Sequence, residues 1–591
     1  MFDPTKPPST LAELGQRSFA NFASRPYLGQ KIGKEYQFST YEQIGARVKN
    51  LAGAFLELGL ERGARVAILG ENAPAWAICD LACQMCGLVS VPLFSTLPSG
   101  QIKTILLDCR PDAILVSDAK QSAKITEIAG EIPFLKHVWS YDDARKLEER
   151  GAAFLAQNPS LYEQTWPAAY ANDVATIIYT SGTTGTPKGV MLTHKNLVAN
   201  VEVISQVAPH LNENEVFLSF LPLAHVYERT AGHFFPLRIG ASVGYCESLF
   251  TVDKNMAEVR PTVMACVPRL YESSREKLLS AANSLPENKR KLYLTALDLA
   301  KKAGMHKGKV QGAPALSLLE KLKYALYDKL VYSKIRAKFG GRLKHFISGG
   351  APIAPELGAL FIGVGLETLE GYGLTETSPV LAVNRPGNPR LGTVGHPMPG
   401  VEIKIADDGE ILARGASIMK GYWEKPEETA QVLTRDGWFH TGDIGQILGD
   451  GTLQITDRKK DLLVLANGKK VAPQPIEIRL QESRYIAQAV LLGDKLKAVT
   501  AILVPNFPAL REWAAKENLG VSTDEELAKN AEILKLFRRE IDLQTSDLAD
   551  FEKIRKFVLL PEPFSAQNGE LTPTLKVKRN VVAAKYGELV A

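Results

Sequence analysis

Cysteine is scarce in this chain, six residues in 591, and that scarcity sets aside a disulfide framework in favour of a reducing compartment. No apolar run reaches the roughly 18 residues that a membrane-spanning helix needs. The opening MFDPTKPPSTLAEL has no basic start followed by an apolar stretch, so the expectation is a cytoplasmic protein whose membrane association, if any, is peripheral. Charge of one sign is not in large excess either. A formal charge of +5 and a pI near 8.6 are too mild to argue for nucleic-acid binding. Internal repeats and low-complexity tracts are lacking, and 45% hydrophobic with 23% charged residues is the composition of a folded globular protein.

The few cysteines do cluster. Cys79, Cys83 and Cys86 fall at i, i+4 and i+7, one face of a helix, and so raise the question of a metal. A tetrahedral site wants four ligands, and no neighbouring pair completes the set. WAICDLACQMCGLVSVPL therefore reads as a buried helix leading into a strand, with the cysteines packing as small apolar residues.

At this length at least two domains are expected. Residues 30–170 alternate apolar helices with strand-like runs such as ARVAILG (64–70), LVSVPLF (88–94) and PDAILVS (111–117), which predicts a mainly parallel sheet covered by helices. VFLSFLPLAH (216–225), RPTVMACVPRLYE (260–272) and LKHFISGGAP (343–352) predict a second α/β layer. Between Gly392 and Asp457 short strands with frequent Gly and Asp turns suit a small barrel-like subdomain. A new α+β pattern follows the polar run Asp457-Arg-Lys-Lys-Asp461, and the boundary is placed there: an N-terminal domain over 1–457 and a C-terminal domain over 458–591. From 276 to 344 lysine and arginine clearly outnumber acids at helical apolar spacing. That segment reads either as a solvated helical hairpin or as a surface for anionic lipid, an acidic carrier or a nucleotide.

The stretch YTSGTTGTPKG (179–189) leaves a short strand rich in β-branched residues. Its three glycines permit close backbone approach, its serine and threonines offer hydroxyl donors, and Lys188 adds a mobile cation, a combination suited to a polyphosphate. It is not a Walker P-loop, because Pro187 stands where that motif has glycine before its lysine. Further polar motifs follow at strand ends: FLPLAHVYER (220–229), SGGAP (348–352), GYGLTETSP (371–379), GWFHTGD (437–443), DRKKDLLVLANGKK (457–470) and LTPTLKVKR (571–579). In an open α/β sheet, loops beyond the carboxyl ends of the strands converge on a ligand.

In this order and spacing the motifs resemble those of the adenylate-forming (acyl-activating) superfamily. DGWFHTGDIG, DRKKDLLVLANGKKVAPQPIE and the long 276–344 insertion look most like the long-chain fatty-acyl-CoA synthetases. The resemblance spans roughly residues 30–580. It implies a large N-terminal domain of two α/β subdomains and a barrel-like one, a small mobile C-terminal domain, and two steps. A carboxylate attacks the α-phosphate of Mg-ATP, and a thiol then attacks the acyl-adenylate. ATP, Mg²⁺ and CoA are the implied cofactors and co-substrates.

The resemblance also implies roles, residue by residue. Thr180, Ser181, Gly182, Thr183, Thr184, Gly185 and Lys188 would cradle the β- and γ-phosphates. Thr375 would meet the α-phosphate, and Glu376, a hard oxygen ligand, would hold Mg²⁺. Gly349, Gly350, Ala351, Tyr372 and Gly373 would border the adenine, and Asp443 would bind the ribose hydroxyls with Arg458 nearby. Lys576 would be the lysine that visits the α-phosphate. The sequence departs from the commoner pattern there, with Leu575 in place of glycine, and strand alternation would point Lys578 the same way. Lys460 matches the hinge about which the C-terminal domain turns. His225 and Tyr227, with the VPRLYE segment (267–272), match positions near the carboxylate.

The expected activity is therefore ATP-dependent activation of a medium- to long-chain fatty acid and its transfer to CoA. The alternatives are the same adenylation with acyl carrier protein as thiol acceptor, a luciferase-like oxidase, and a non-catalytic fatty-acid or nucleotide-binding protein. The partner classes left open are a carrier protein, a membrane surface and a second copy of the chain.

Overall fold

The computed structural model describes residues 6–180, 187–521, 523–565, 568–572 and 577–590. The chain forms two compact units. The first comprises Met1–Lys404, Leu412–His440 and Gly449–Leu453; the second comprises Ile405–Ile411, Thr441–Leu448 and Gln454–Ala591.

Two sheets build the first unit. One has seven strands in the order Gly421–Tyr422, Lys188–Thr193, Val174–Thr180, Val89–Leu93, Arg65–Leu69, Ala113–Val116 and His137–Ser140. From Val174–Thr180 to His137–Ser140 neighbours run parallel, whereas Lys188–Thr193 returns antiparallel, so that Thr180 sits opposite Lys188. The central strands are buried on both faces, and they accordingly read as continuous apolar runs rather than alternating ones. All three strands expected between 64 and 117 are present.

The other sheet has nine strands, with the parallel series Glu367–Gly373, His345–Ser348, Val263–Cys266, Val216–Ser219, Ser242–Tyr245 and Pro26–Ile32 at its centre. Its far edge is the N-terminal hairpin Pro26–Ile32 and Glu35–Thr40. The hairpin thus precedes the first sheet in sequence but joins the second in space, an allocation that local pattern could not supply. Cys79 and Cys83 lie in the buried helix Pro74–Met85, and Cys86, whose thiol burial pushes up to about 12, ends it.

One buried ion pair ties these layers together. Arg229, which follows the FLPLAHVYE segment, donates Nε to Asp80 of the helix Pro74–Met85 at 3.0 Å and pairs again with its second oxygen. It also donates to Thr176 Oγ1 and Ser90 Oγ, each at 2.7 Å, on two strands of the seven-stranded sheet. Burial is the largest single influence on Asp80 and pushes it toward neutrality, but the charges and hydrogen bonds of Arg229 and His233 together outweigh it and hold the carboxyl down at about 2.

The 392–457 stretch forms the short strands Glu402–Ile405, Glu410–Arg414, Phe439–Ile447 and Leu453–Arg458, apportioned between the two units. In the second unit Ile486–Leu492 pairs antiparallel with Val499–Pro505, which pairs parallel with Ile554–Leu559. Helices Pro473–Leu480 and Ala531–Gln544 contribute Ile476, Leu480, Ile533, Phe537 and Ile541 to the core behind that sheet.

Candidate functional site

Thr180 and Lys188 face each other across the mouth of the hairpin that carries the glycine- and threonine-rich loop. Ser181, Gly182, Thr183, Thr184 and Gly185 lie outside the described residues, as does Lys576. Lys188 pairs with the Glu428 carboxylate, holding that acid below its usual range, and places its ammonium 5.2 Å from the centre of the Tyr422 ring. Tyr422 stands on the edge strand beside this hairpin, opposite Val190.

The same tyrosine reaches a second motif. Its hydroxyl donates to Glu376 Oε1 at 3.0 Å. Burial, together with the Glu376 charge, raises the phenol, so it remains a protonated donor. Thr375–Thr377 is a single helical turn after the strand Glu367–Gly373, and the Glu376 carbonyl accepts from Met419 N–H at 2.8 Å. Gly373 is required just before that turn, since a Cβ there would lie 2.6 Å from the Pro379 carbonyl carbon, with the oxygen nearer still. Tyr372, buried on the same strand, pairs in register with Ala382.

The third loop follows His345–Ser348. Gly350 takes φ +84°, a conformation that disfavours any Cβ, and a Cβ on Gly349 would press on the Tyr227 ring at 3.1 Å. Glu370 sits beside Ser348 in register and accepts the Ile353 N–H at 3.1 Å, so it braces the exit of the Gly349-Gly350-Ala351 turn. Burial raises the Glu370 carboxyl to about 8.

Tyr227 is buried and donates its hydroxyl to the Ile347 carbonyl at 2.5 Å, leaving its ring against the Gly349 turn. His225 caps the next helical turn, its Nδ1 accepting Tyr227 N–H at 3.1 Å, and its ring centre is 6.4 Å from that of Phe94.

Asp443, Arg458 and Lys460 belong to the second unit. Arg458 Nε meets Asp443 Oδ1 at 3.0 Å, with the carboxylate nearly buried and the guanidinium half exposed. Beside Lys460, Lys459 contacts Asp408 at 2.6 Å and Glu410 at 2.9 Å, and its N–H donates to the Gly442 carbonyl. The polar run is therefore tied by specific charges rather than simply solvated. Lys578 N-caps the helix Arg579–Tyr586, and its own N–H donates to Glu570 O at 2.7 Å.

Sequence reasoning did not find Tyr422, Glu428, Glu370 or Lys459. Only Gly421-Tyr422, an aromatic after a glycine, carries even a weak local signal.

A family profile described as AMP-binding enzyme matches residues 16–423, and one described as AMP-binding enzyme C-terminal domain matches 460–591. The chain is 35% identical over 555 residues to long-chain-fatty-acid–CoA ligase FadD15 of Mycobacterium bovis, covering 93% of this chain and 90% of that protein. It is 34% identical to the peroxisomal long chain acyl-CoA synthetase 7 of Arabidopsis thaliana, covering 98% and 86%. In fold it is similar to ATP-bound MatB from Rhodopseudomonas palustris, with a TM-score of 0.70 at 22% identity over 98% of this chain and 99% of that one.

Proposed function

The chain belongs to the AMP-binding enzyme family, and from that premise we propose that it activates a medium- to long-chain fatty acid with ATP and transfers the acyl group to CoA, releasing AMP and pyrophosphate. One observation supports this reading most directly. Tyr422 joins the Lys188 hairpin to Glu376, so the phosphate-binding and metal-binding candidates of two distant motifs share one side chain.

Adenylation builds negative charge on the transferring phosphoryl group, and it needs positioned donors and cations more than a covalent nucleophile. Thr180 and Lys188 supply a hydroxyl and a cation at the hairpin mouth. Thr375 is assigned to the α-phosphate. Glu376 is assigned to Mg²⁺, whose usual protein share beside nucleotide phosphates is one or two carboxylates. Gly349, Gly350, Ala351, Tyr372 and Gly373 are assigned to the adenine, Asp443 with Arg458 to the ribose, and His225 and Tyr227 to the acyl end. Lys576 is assigned to the α-phosphate and Lys460 to the hinge, with the functional boundary at 457/458.

The test is pyrophosphate exchange into ATP, without thiol, across a panel of acids from acetate to oleate. Exchange that favours the longer acids supports the reading, and exchange only with short acids or with none refutes it. Competition between CoA and a holo-carrier protein then decides the acceptor.

A further inference from the structure

The helix Leu318–Tyr327 and the turn Asp328–Tyr332 that continues it are apolar on two sides, and only one of them is covered. The covered side carries Tyr324, Tyr327, Val331 and Tyr332, packed into the core behind the nine-stranded sheet. Tyr324 donates to the Gly363 carbonyl at 2.5 Å and Tyr332 to that of Ala296 at 2.7 Å. These bonds fix the rotation of the helix about its own axis.

The other side projects Leu318, Leu319, Leu322, Leu326 and Leu330, which remain 78%, 62%, 65%, 53% and 45% exposed. Five exposed leucines in one row about 20 Å long form a contiguous apolar patch, not scattered surface residues. Their surroundings are basic. Across 276–344 lysines and arginines outnumber acids sixteen to five. The two acids on this element are already answered, Glu320 by Lys302 at 2.6 Å and Asp328 by Arg336 at 2.7 Å. Lys321, Lys323, Lys329, Lys334 and Lys338 are exposed and make no ion pair among the described residues.

We propose that this leucine row with its lysine rim docks the protein on an anionic phospholipid bilayer, the helix lying in the interfacial plane. Apolar side chains entering the acyl boundary while flanking cations meet headgroup phosphates is the arrangement an interfacial helix uses. A second copy of the chain fits less well, because apposed rows would bring two lysine rims together. An acidic protein would satisfy the lysines but leaves the long, flat leucine row without a reason. Among the described residues no helix is long and apolar enough to cross a membrane, so the attachment is lateral. Docking is independent of the acyl-activation reading, and it is measured without ATP, acid or thiol.

The experiment is flotation of the full chain with vesicles of phosphatidylglycerol and phosphatidylethanolamine, against vesicles of phosphatidylcholine alone, at low and high salt. The expected result is binding to the anionic vesicles only, weakened by salt. Leu322→Ser with Leu326→Ser, and separately Lys321→Glu with Lys323→Glu, should each lower it by about tenfold or more. Both variants should keep the wild-type circular dichroism and unfolding midpoint, since these side chains point away from the core. Absence of anionic-vesicle binding, or binding that ignores either variant, overturns the proposal. So does a sedimentation-velocity dimer that the leucine variant dissolves, or capture by an acidic carrier protein with no vesicle binding.

Discussion

Gly371 and Gly373 flank Tyr372 on one strand and neither has positive φ, yet the structure predicts opposite responses to alanine. At Gly373 a Cβ would lie 2.6 Å from the Pro379 carbonyl carbon and closer to its oxygen, where real Cβ contacts do not fall below 3.0 Å. Relief requires the strand and the 377–379 backbone to part by about an ångström. That backbone carries the hydrogen bonds of Thr377 to Leu374 and Pro379 that shape the Thr375–Thr377 turn. Overpacking of this kind costs about 1–3 kcal/mol of stability, and a misplacement near 1 Å at reacting groups costs on the order of 10²-fold in rate. At Gly371 the nearest atom, Val383 Cγ2, stands 3.4 Å away, an ordinary contact. Pyrophosphate exchange and urea unfolding of both variants form the assay. Gly373→Ala should lose about 10²-fold in kcat/KM, while Gly371→Ala stays within about threefold of wild type. Equal behaviour of the two, in either direction, would refute the argument.

Arg229→Met should destabilise the first unit by about 3–5 kcal/mol, because it strands a buried carboxylate; adding Asp80→Asn should recover much of that, and urea titration of the single and double variants will show whether it does. Glu370 is raised to about 8 by burial, so between pH 4.5 and 8 the folded state holds a proton that the unfolded state has released. Stability contributed by the neutral acid therefore declines as pH rises through that window and levels off above it. Glu370→Gln should reduce the decline by about one proton, or roughly 1.4 kcal/mol per pH unit at the steepest point. Glu228, also raised to about 8 by burial, retains its own share, so an unchanged pH profile in the Glu370 variant would count against the assignment. Lys576→Ala should cost on the order of 10²–10³-fold in adenylation while thioester formation from supplied acyl-adenylate largely survives; equal losses in both half-reactions would rule the role out.

Much of the fold is legible in the sequence. The runs at 64–70, 88–94 and 111–117 are mostly apolar, with no regular polar alternation, because parallel strands are covered on both faces, and that covering leaves a local mark. The N-terminal hairpin was not placed, since the choice of sheet depends on Leu28 and Gly29 meeting Val243 and Gly244, more than 200 residues away. The site divides in the same manner. Lys188 stands in a loop whose residue types suit a polyphosphate, whereas Thr375 and Glu376 stand in a motif that the family resemblance singles out. Tyr422, Glu428 and Glu370 act through partners that no spacing rule connects.

The sequence by itself determined the α/β class, because strand period and turn residues are local, and the order of its polar motifs carried the resemblance to acyl-activating enzymes. Only the tertiary structure decided which of two glycines is indispensable, which tyrosine joins Lys188 to Glu376, and that Arg229 holds two layers together. It also decided which side of the helix Leu318–Tyr327 stays open. Periodicity reports that a face is apolar, but whether another element covers that face is settled by contacts distant in sequence.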